Sequence, residues 1–389
     1  MAISSLPYYR LILAAVVASG ALPAHADLTS ELNTIVTNTM SQDGIPGVMV
    51  GVWQGDTQIA FVADGYSDLA TLTPISEDDE FKIGSVTKSM TVTVLLQLAD
   101  EGLVNLDDPI DDYVPGTVNG TATLRQLANM TSNIPNYSAV PAFQQALGEN
   151  PQQTWTDAQL VGFANTQTPT NAPGVGPWSY SNTNTVLLGM VIAKVTGNSL
   201  QQEMTTNIFT PLGMTHTLYP NANVSSLTAP YLHGYNVPND ASSDVSDALS
   251  SSVFSGAGAV YSTIDDLAIW GQALGQGTLL SANMQAQRLQ FINAGQGAPY
   301  YDSYGLGIGS IDGWIGHTGE QPGYSDLVMY DPSTDRTIVI VDNLSTGGDN
   351  FPTDMFLAMQ DALAVPEPST YAMLALGGVA LAFAARRRV

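Results

Sequence analysis

Ser85 and Lys88 are the pair in this sequence whose types and spacing most directly offer chemistry. Three residues apart, they share one face if the segment is helical, so a hydroxyl and an ammonium can touch. Residues 90–99, which follow, are apolar on nearly every side, the pattern of a helix buried in a core. A buried ammonium is costly unless its proton can leave. Desolvation lowers the lysine pKa, and the resulting amine can serve as base for the serine. A helix N-terminus at Ser85 would add backbone N–H groups that favour developing alkoxide charge. The expected chemistry is nucleophilic, through an activated serine.

Two other stretches offer polar groups in settings that suit a site. Tyr180-Ser181-Asn182 follows a loop signal, Asn171-Ala172-Pro173-Gly174. Gly316-His317-Thr318-Gly319 lies in strand-like sequence, where glycine permits a backbone or ligand to approach closely. Taken singly, each of these motifs also fits a purely structural role.

The elements that must position these residues can be read from periodicity. Residues 28–40 have the spacing of an amphipathic helix. Residues 48–53 and 58–62 flank a Gln54-Gly55-Asp56 turn and read as a β-hairpin. The Ser85 helix should end near Glu101-Gly102, where glycine suits a C-cap. Helices are expected at 124–130, 185–195 and 263–274, the last with Thr263 as N-cap and Asp265 and Asp266 in its first turn. Residues 219–251 are rich in Asn, Ser, Asp and Pro and read as loop. Strand character returns at 304–308, 313–318, 324–330 and 337–343, and a helix over 353–363 follows. The expected fold class is therefore α+β. Strands near both ends form one antiparallel sheet, with flanking helices and an inserted helical region.

The 389 residues suffice for one large or two ordinary domains. The formal net charge of −25 repels nucleic acid and anionic lipid, so neither is an expected partner. Cysteine is absent, which excludes disulfides, a thiol nucleophile and a thiolate metal site. Four histidines without a His-x-x-x-His, and no Asp-rich calcium loop, point away from a metalloenzyme.

The two ends carry targeting patterns. Arg10 precedes an apolar segment, and Ala24-His25-Ala26 has the small-x-small form cut by signal peptidase, so residues 1–26 are expected to be a signal peptide. Val365-Pro366-Glu367-Pro368, an apolar run over 371–385 and Arg386-Arg387-Arg388 form a tripartite tail. Its apolar run spans only about 22 Å as a helix, short of a hydrocarbon core of roughly 30 Å. The Arg cluster suits the cytoplasmic side. Residues 365–389 resemble the PEP-CTERM sorting signal of Gram-negative bacteria, which implies a transient anchor, exosortase processing and delivery to the periplasm, cell surface or matrix. Residues 27–364 are left as the expected catalytic domain. Losing both ends removes Arg10 and Arg386 to Arg388 but only one acid, Glu367, so this domain is more acidic still.

In chain order, Ser-x-x-Lys, Tyr-x-Asn and His-Thr-Gly resemble the three motifs of the serine β-lactamase and penicillin-binding superfamily. The tyrosine version resembles the class C branch, and within it the secreted D-alanyl-D-alanine carboxypeptidases. Residues 95–102, 208–212, 255–260 and 304–307 share the resemblance, which covers essentially 27–364. It implies an acyl-enzyme on Ser85, with Lys88 and Tyr180 moving the proton. Asn182 would bond the substrate amide, and the backbone N–H groups of Ser85 and Glu320 would form the oxyanion hole. His317, Thr318 and Gly319 would flank the substrate. Neither organic cofactor nor metal is implied.

This sequence departs from that pattern in two places. Met130-Thr131-Ser132-Asn133-Ile134-Pro135 replaces a His-Thr-Ser-Gly-Leu-Pro turn. Glu320 occupies a place where small hydroxyl residues are common, and its carboxylate would repel a substrate carboxylate. No Arg or Lys lies between Arg288 and Arg336 to compensate. The expected function is an exported serine hydrolase, a D-alanyl-D-alanine carboxypeptidase-like D-peptidase acting on a small peptide. A class C-like β-lactamase, or an esterase of the same fold, uses the same chemistry on a β-lactam or an ester. An idle matrix or wall-binding protein is the reading from another class, and the presence of Ser85, Lys88, Tyr180 and Asn182 together argues against it.

Overall fold

The computed structural model describes residues 28–220, 227–295, 301–347 and 350–364. The expected signal peptide and sorting tail lie outside them. Helix α1 (28–43) leads into the expected hairpin, β1 (Gly47–Gln54) and β2 (Thr57–Asp68). Two short strands follow, β3 (Thr73–Pro74) and β4 (Phe81–Lys82), and then α2 (Val86–Asp100). The helical region runs through α3 (Leu124–Ala128), α4 (Pro141–Glu149), α5 (Asp157–Asn165), α6 (Asn182–Thr196), α7 (Leu200–Met204) and α8 (Thr210–Leu212). Strand β5 (Tyr261–Ser262), helices α9 (Ile264–Gln276) and α10 (Ala282–Arg288) and strands β6 (Ile292–Asn293), β7 (Ser303–Tyr304) and β8 (Gly309–Ile311) return the chain to the sheet. Strands β9 (Trp314–Gln321), β10 (Tyr324–Asp331) and β11 (Arg336–Asp342) and helix α11 (Phe351–Ala364) complete it.

The main sheet has the order β3-β2-β1-β11-β10-β9-β8-β7-β6. Strand β1 pairs antiparallel with β11, Val50 opposite Ile340, so the two ends of the domain share one sheet as expected. Its central strands are apolar on both faces, and their period of two divides the core. Val48, Val50, Val52, Ile338 and Ile340 pack with Leu32 of α1 and Phe356 of α11. Met49, Val339, Val341 and Val328 face the other way, toward α2 and Trp270 of α9.

Helix α2 lies in that second core, with most of its length buried. Its hydroxyls are absorbed by local and tertiary bonds, as burial requires. Ser89 Oγ donates to Val86 O and accepts from Trp270 Nε1 at 2.9 Å. Thr93 Oγ1 accepts from the buried Arg288 Nη2 at 2.6 Å. Gly102, at φ 74°, follows the helix end as its C-cap signal requires.

Two expected elements differ. The strand expected at 304–308 exists only at Tyr304, because the N–H groups of Leu306 and Gly307 turn out of the sheet to Arg288 O and Ala128 O. The strand expected at 313–318 extends to Gln321, carrying Gly319 and Glu320 beside β10.

Trp270 is fully buried and ties α9 to α2. Trp270→Ala is expected to destabilise the fold by about 3–5 kcal/mol, a lower urea midpoint that equilibrium unfolding reads directly. An unchanged midpoint would contradict this account of the core.

Candidate active site

Ser85 is the N-cap residue of α2, and its side chain makes no capping bond. Its Oγ stands instead 2.7 Å from Lys88 Nζ, one turn along the same face. Lys88 is completely buried, and its Nζ also donates to Ala257 O at 2.7 Å. Both partners are neutral oxygens. Burial without a counter-charge holds the amine well below its ordinary pKa. Once neutral, the amine keeps a hydrogen on Ala257 O and presents its lone pair to the Ser85 hydroxyl.

The loop before α6 brings Tyr180 over this pair, its ring centroid 4.9 Å from Lys88 Nζ. The Tyr180 hydroxyl is buried and makes no hydrogen bond of standard geometry. Burial and then neighbouring Tyr301 hold its pKa well above the usual value; the nearby Ser85 hydroxyl pulls the other way. Tyr180 is thus a phenol at neutral pH, a proton donor rather than a phenolate. Its loop is secured by Trp178 Nε1, which donates to Asn129 O, and by Asn133 Nδ2, which donates to Ala172 O and Val175 O. Asn133 adopts φ 53°, the left-handed conformation that asparagine tolerates, so the departure from glycine in that turn keeps a positive φ. Asn182, first residue of α6, is held by its Nδ2 bond to Ser138 Oγ at 3.0 Å.

Strand β9 forms the opposite wall. Gly84 has φ 45°, and a Cβ there would lie 2.5 Å from Glu320 N. The absence of a side chain lets the backbone entering Ser85 approach that of Glu320. Ser85, Tyr180, Asn182, Thr318, Gly319 and Glu320 all line one cavity of about 280 Å³, to which Ser325 and Asp326 of β10 also contribute.

His317 is placed elsewhere. It is wholly buried behind the site, and the cavity wall does not include it. Its Nδ1 lies 2.6 Å from Thr318 O, so it carries the hydrogen and donates; Nε2 then accepts from Tyr304 Oη at 2.9 Å. Tyr301 Oη accepts from Thr318 N and meets Thr318 Oγ1 at 2.9 Å. Burial and then the Lys88 charge push the imidazole down to about 3, so it stays neutral. The sequence motifs did not identify Tyr301, Asp326 or the carbonyl of Ala257 as parts of the site. Only a charged residue within an otherwise buried strand marks Asp326 in the sequence.

The beta-lactamase family profile matches residues 32–362. The chain belongs to this family. A second profile, the PEP-CTERM protein-sorting motif, matches residues 364–388. The Bacillus subtilis (strain 168) protein PbpX, named for penicillin binding, is 27% identical over 319 residues, 81% of this chain and 75% of the relative. A D-stereospecific amidohydrolase from Streptomyces sp. shares the fold with a TM-score of 0.73 and 31% identity, over 86% of this chain and 97% of that one. D-amino acid amidase from Ochrobactrum anthropi SV3, in complex with L-phenylalanine amide, superposes with a TM-score of 0.76 at 24% identity, over 87% and 98%. The protein is accordingly a hydrolase of the serine β-lactamase and penicillin-binding superfamily, with its mixed helix and antiparallel-sheet fold.

Two outcomes follow from this geometry. Gly84→Ala is expected to separate Ser85 from Glu320 and lower kcat/KM at least about tenfold, since a misplaced site loses orientation. Wild-type turnover would contradict it. Nitrogen NMR of the imidazoles is expected to show His317 as the Nδ1-protonated tautomer, uncharged down to about pH 3. His233, raised above its usual value by its bond to Asp244, should charge first as pH falls; a His317 titrating near 6.5 would overturn the burial argument.

Proposed function

We propose that this protein is an exported serine hydrolase of D-configured amides or peptides, working through an acyl-enzyme on Ser85. The observation that carries the reading is the buried Lys88 amine, 2.7 Å from Ser85 Oγ and, among the described residues, without a carboxylate partner. The Streptomyces amidohydrolase, 31% identical across nearly its whole length, supports an amide substrate of D configuration.

The reaction begins as Lys88, neutral, takes the Ser85 proton while Oγ attacks the acyl carbon. Charge developing on the carbonyl oxygen is stabilised by the backbone N–H groups of Ser85 and Glu320. Tyr180, a phenol between Lys88 and the cavity, passes a proton to the departing amine and recovers one from Lys88. Water, deprotonated through the same pair, then releases the acid. Asn182 bonds the substrate amide, and Thr318 and Gly319 flank it. His317 acts from behind, holding Tyr304 and the Thr318 carbonyl in place. Residues 1–26 act as an export leader. The PEP-CTERM motif supports exosortase-type sorting of the tail; among the described residues no helix is long and apolar enough to cross a membrane.

The test is intact-mass spectrometry after exposure to a fluorescent penicillin, with turnover of a D-amino-acid amide measured in parallel. Wild type should form one adduct, and Ser85→Ala none while keeping its circular dichroism. Tyr180→Phe should slow turnover at least about a hundredfold, the usual range for a lost general acid. The ascending limb of the pH–rate profile should lie well below the ordinary lysine value, because the neutral amine is the active form. An adduct on Ser85→Ala would refute the nucleophile. Rapid loss of the β-lactam ring without an adduct would instead favour a β-lactamase.

A further inference from the structure

Lys88 Nζ meets Ser85 Oγ and donates to Ala257 O, each at 2.7 Å. The second bond fixes where the lone pair of the neutral amine points, so whatever aims the Ala257 carbonyl also aims the base. Ala257 closes a single 3-10 turn, Ser255–Ala257, whose first residue has an unusual backbone. Ser255 is buried and adopts φ 44°, in the left-handed region. A serine stays there only when its surroundings hold it, and such residues cluster at functional sites.

Asp157 supplies that hold. Ser255 Oγ donates to Asp157 Oδ1 across nearly a hundred residues of chain. Asp157 is the first residue of α5 and is itself fixed by the Thr156 cap, whose side chain accepts from Gln159 N. Burial raises the Asp157 carboxyl above its ordinary pKa, and the Ser255 bond opposes the rise. From this left-handed start, two consecutive carbonyls reach α2. Gly256 O accepts from Thr91 Oγ1 at 2.7 Å, and Ala257 O accepts from Lys88 one turn earlier on the helix. Position 256 has no room for a side chain, since a Cβ there would lie 2.8 Å from Thr185 O. The turn is thus pressed between α2 and α6 and tied to α5 through Ser255.

We propose that Ser255 and Asp157 are positioning residues for Lys88, their hydrogen bond holding the left-handed turn that aims the Ala257 carbonyl at the lysine amine. This rests on the Ser85 reading above. Neither residue lines the cavity beside Ser85, so the bond acts on the base and leaves substrate contacts alone. Without it the turn relaxes toward ordinary backbone angles, and Ala257 O swings away from Nζ. The amine then loses its fixed direction, and its lone pair meets the Ser85 hydroxyl less often. Proton removal slows while binding is unchanged. Asp157 needs only an acceptor oxygen for this work, which an amide also supplies.

The experiment follows reaction of the full-length protein with a fluorescent penicillin over a range of concentrations, read as adduct or as loss of the β-lactam ring. It separates the limiting rate constant from the half-saturating concentration. Asp157→Ala and Ser255→Ala should each lower the limiting rate about tenfold or more and leave half-saturation within about twofold of wild type. Asp157→Asn, whose Oδ1 still accepts from Ser255, should recover the rate to within about threefold of wild type. If Ser255→Ala fails to fold, Ser255→Gly takes its place, because glycine adopts φ 44° without strain; lacking the hydroxyl, it should react at least about threefold more slowly than wild type. Unchanged rates in the variants at both positions, half-saturation raised as much as the rate falls, or Asp157→Asn as slow as Asp157→Ala would each overturn the inference. Where wild type reacts at Ser85 and one of those results appears, only this inference fails. A wild type that leaves both penicillin and a D-amino-acid amide intact sinks the Ser85 reading and takes this one with it.

Discussion

A lysine amine buried against two neutral oxygens is the constraint on which the rest of the structure depends. Among the described residues no acid balances Lys88, so the surroundings must be dry enough to strip its proton and polar enough to hold the amine. Helix α2 answers the first need by sinking into the core with most of its length covered. The carbonyl of Ala257 answers the second from a segment far along the chain. Much of the helical region can be understood as the cover that keeps water from this one group.

The second wall works by proximity of backbones. β9 runs close against the start of α2, and side chains at 84 or 319 would prevent that approach. Behind that wall, His317, Tyr301 and Tyr304 form a closed polar cluster in which every named hydrogen has an acceptor. Such a cluster is expensive when incomplete and rigid when complete. Here it fixes the rear of the β9 strand without entering the cavity.

Much of this was legible in the sequence because its signals are local. The three-residue spacing of Ser85 and Lys88, the apolar helix after them, the β1–β2 hairpin and the capping residues of α9 each depend on neighbours a few positions away. The helix and loop settings of the first two motifs followed from the same kind of signal. Asp326 did not, since strand alternation gives the face a residue occupies but not what lies across from it. The same holds for Ala257, whose side chain is irrelevant to the bond its carbonyl makes. Strand 304–308 was misread because the acceptors that draw its N–H groups away, Arg288 O and Ala128 O, lie on α10 and at the end of α3.

The pairing of β1 with β11 has a temporal consequence. Nearly three hundred residues separate the two partners, so the central strand pair can form only after the chain through β11 is available and at the entropic cost of closing that long loop. Ser85 and Lys88 emerge early, yet the strand bearing Glu320 joins them only when β9, β10 and β11 have arrived. Until then α2 lacks the sheet that covers it, and the lysine remains wet, protonated and inert. A chain threaded unfolded across a membrane would therefore pass without a working nucleophile, and its reactivity would arise together with its native sheet.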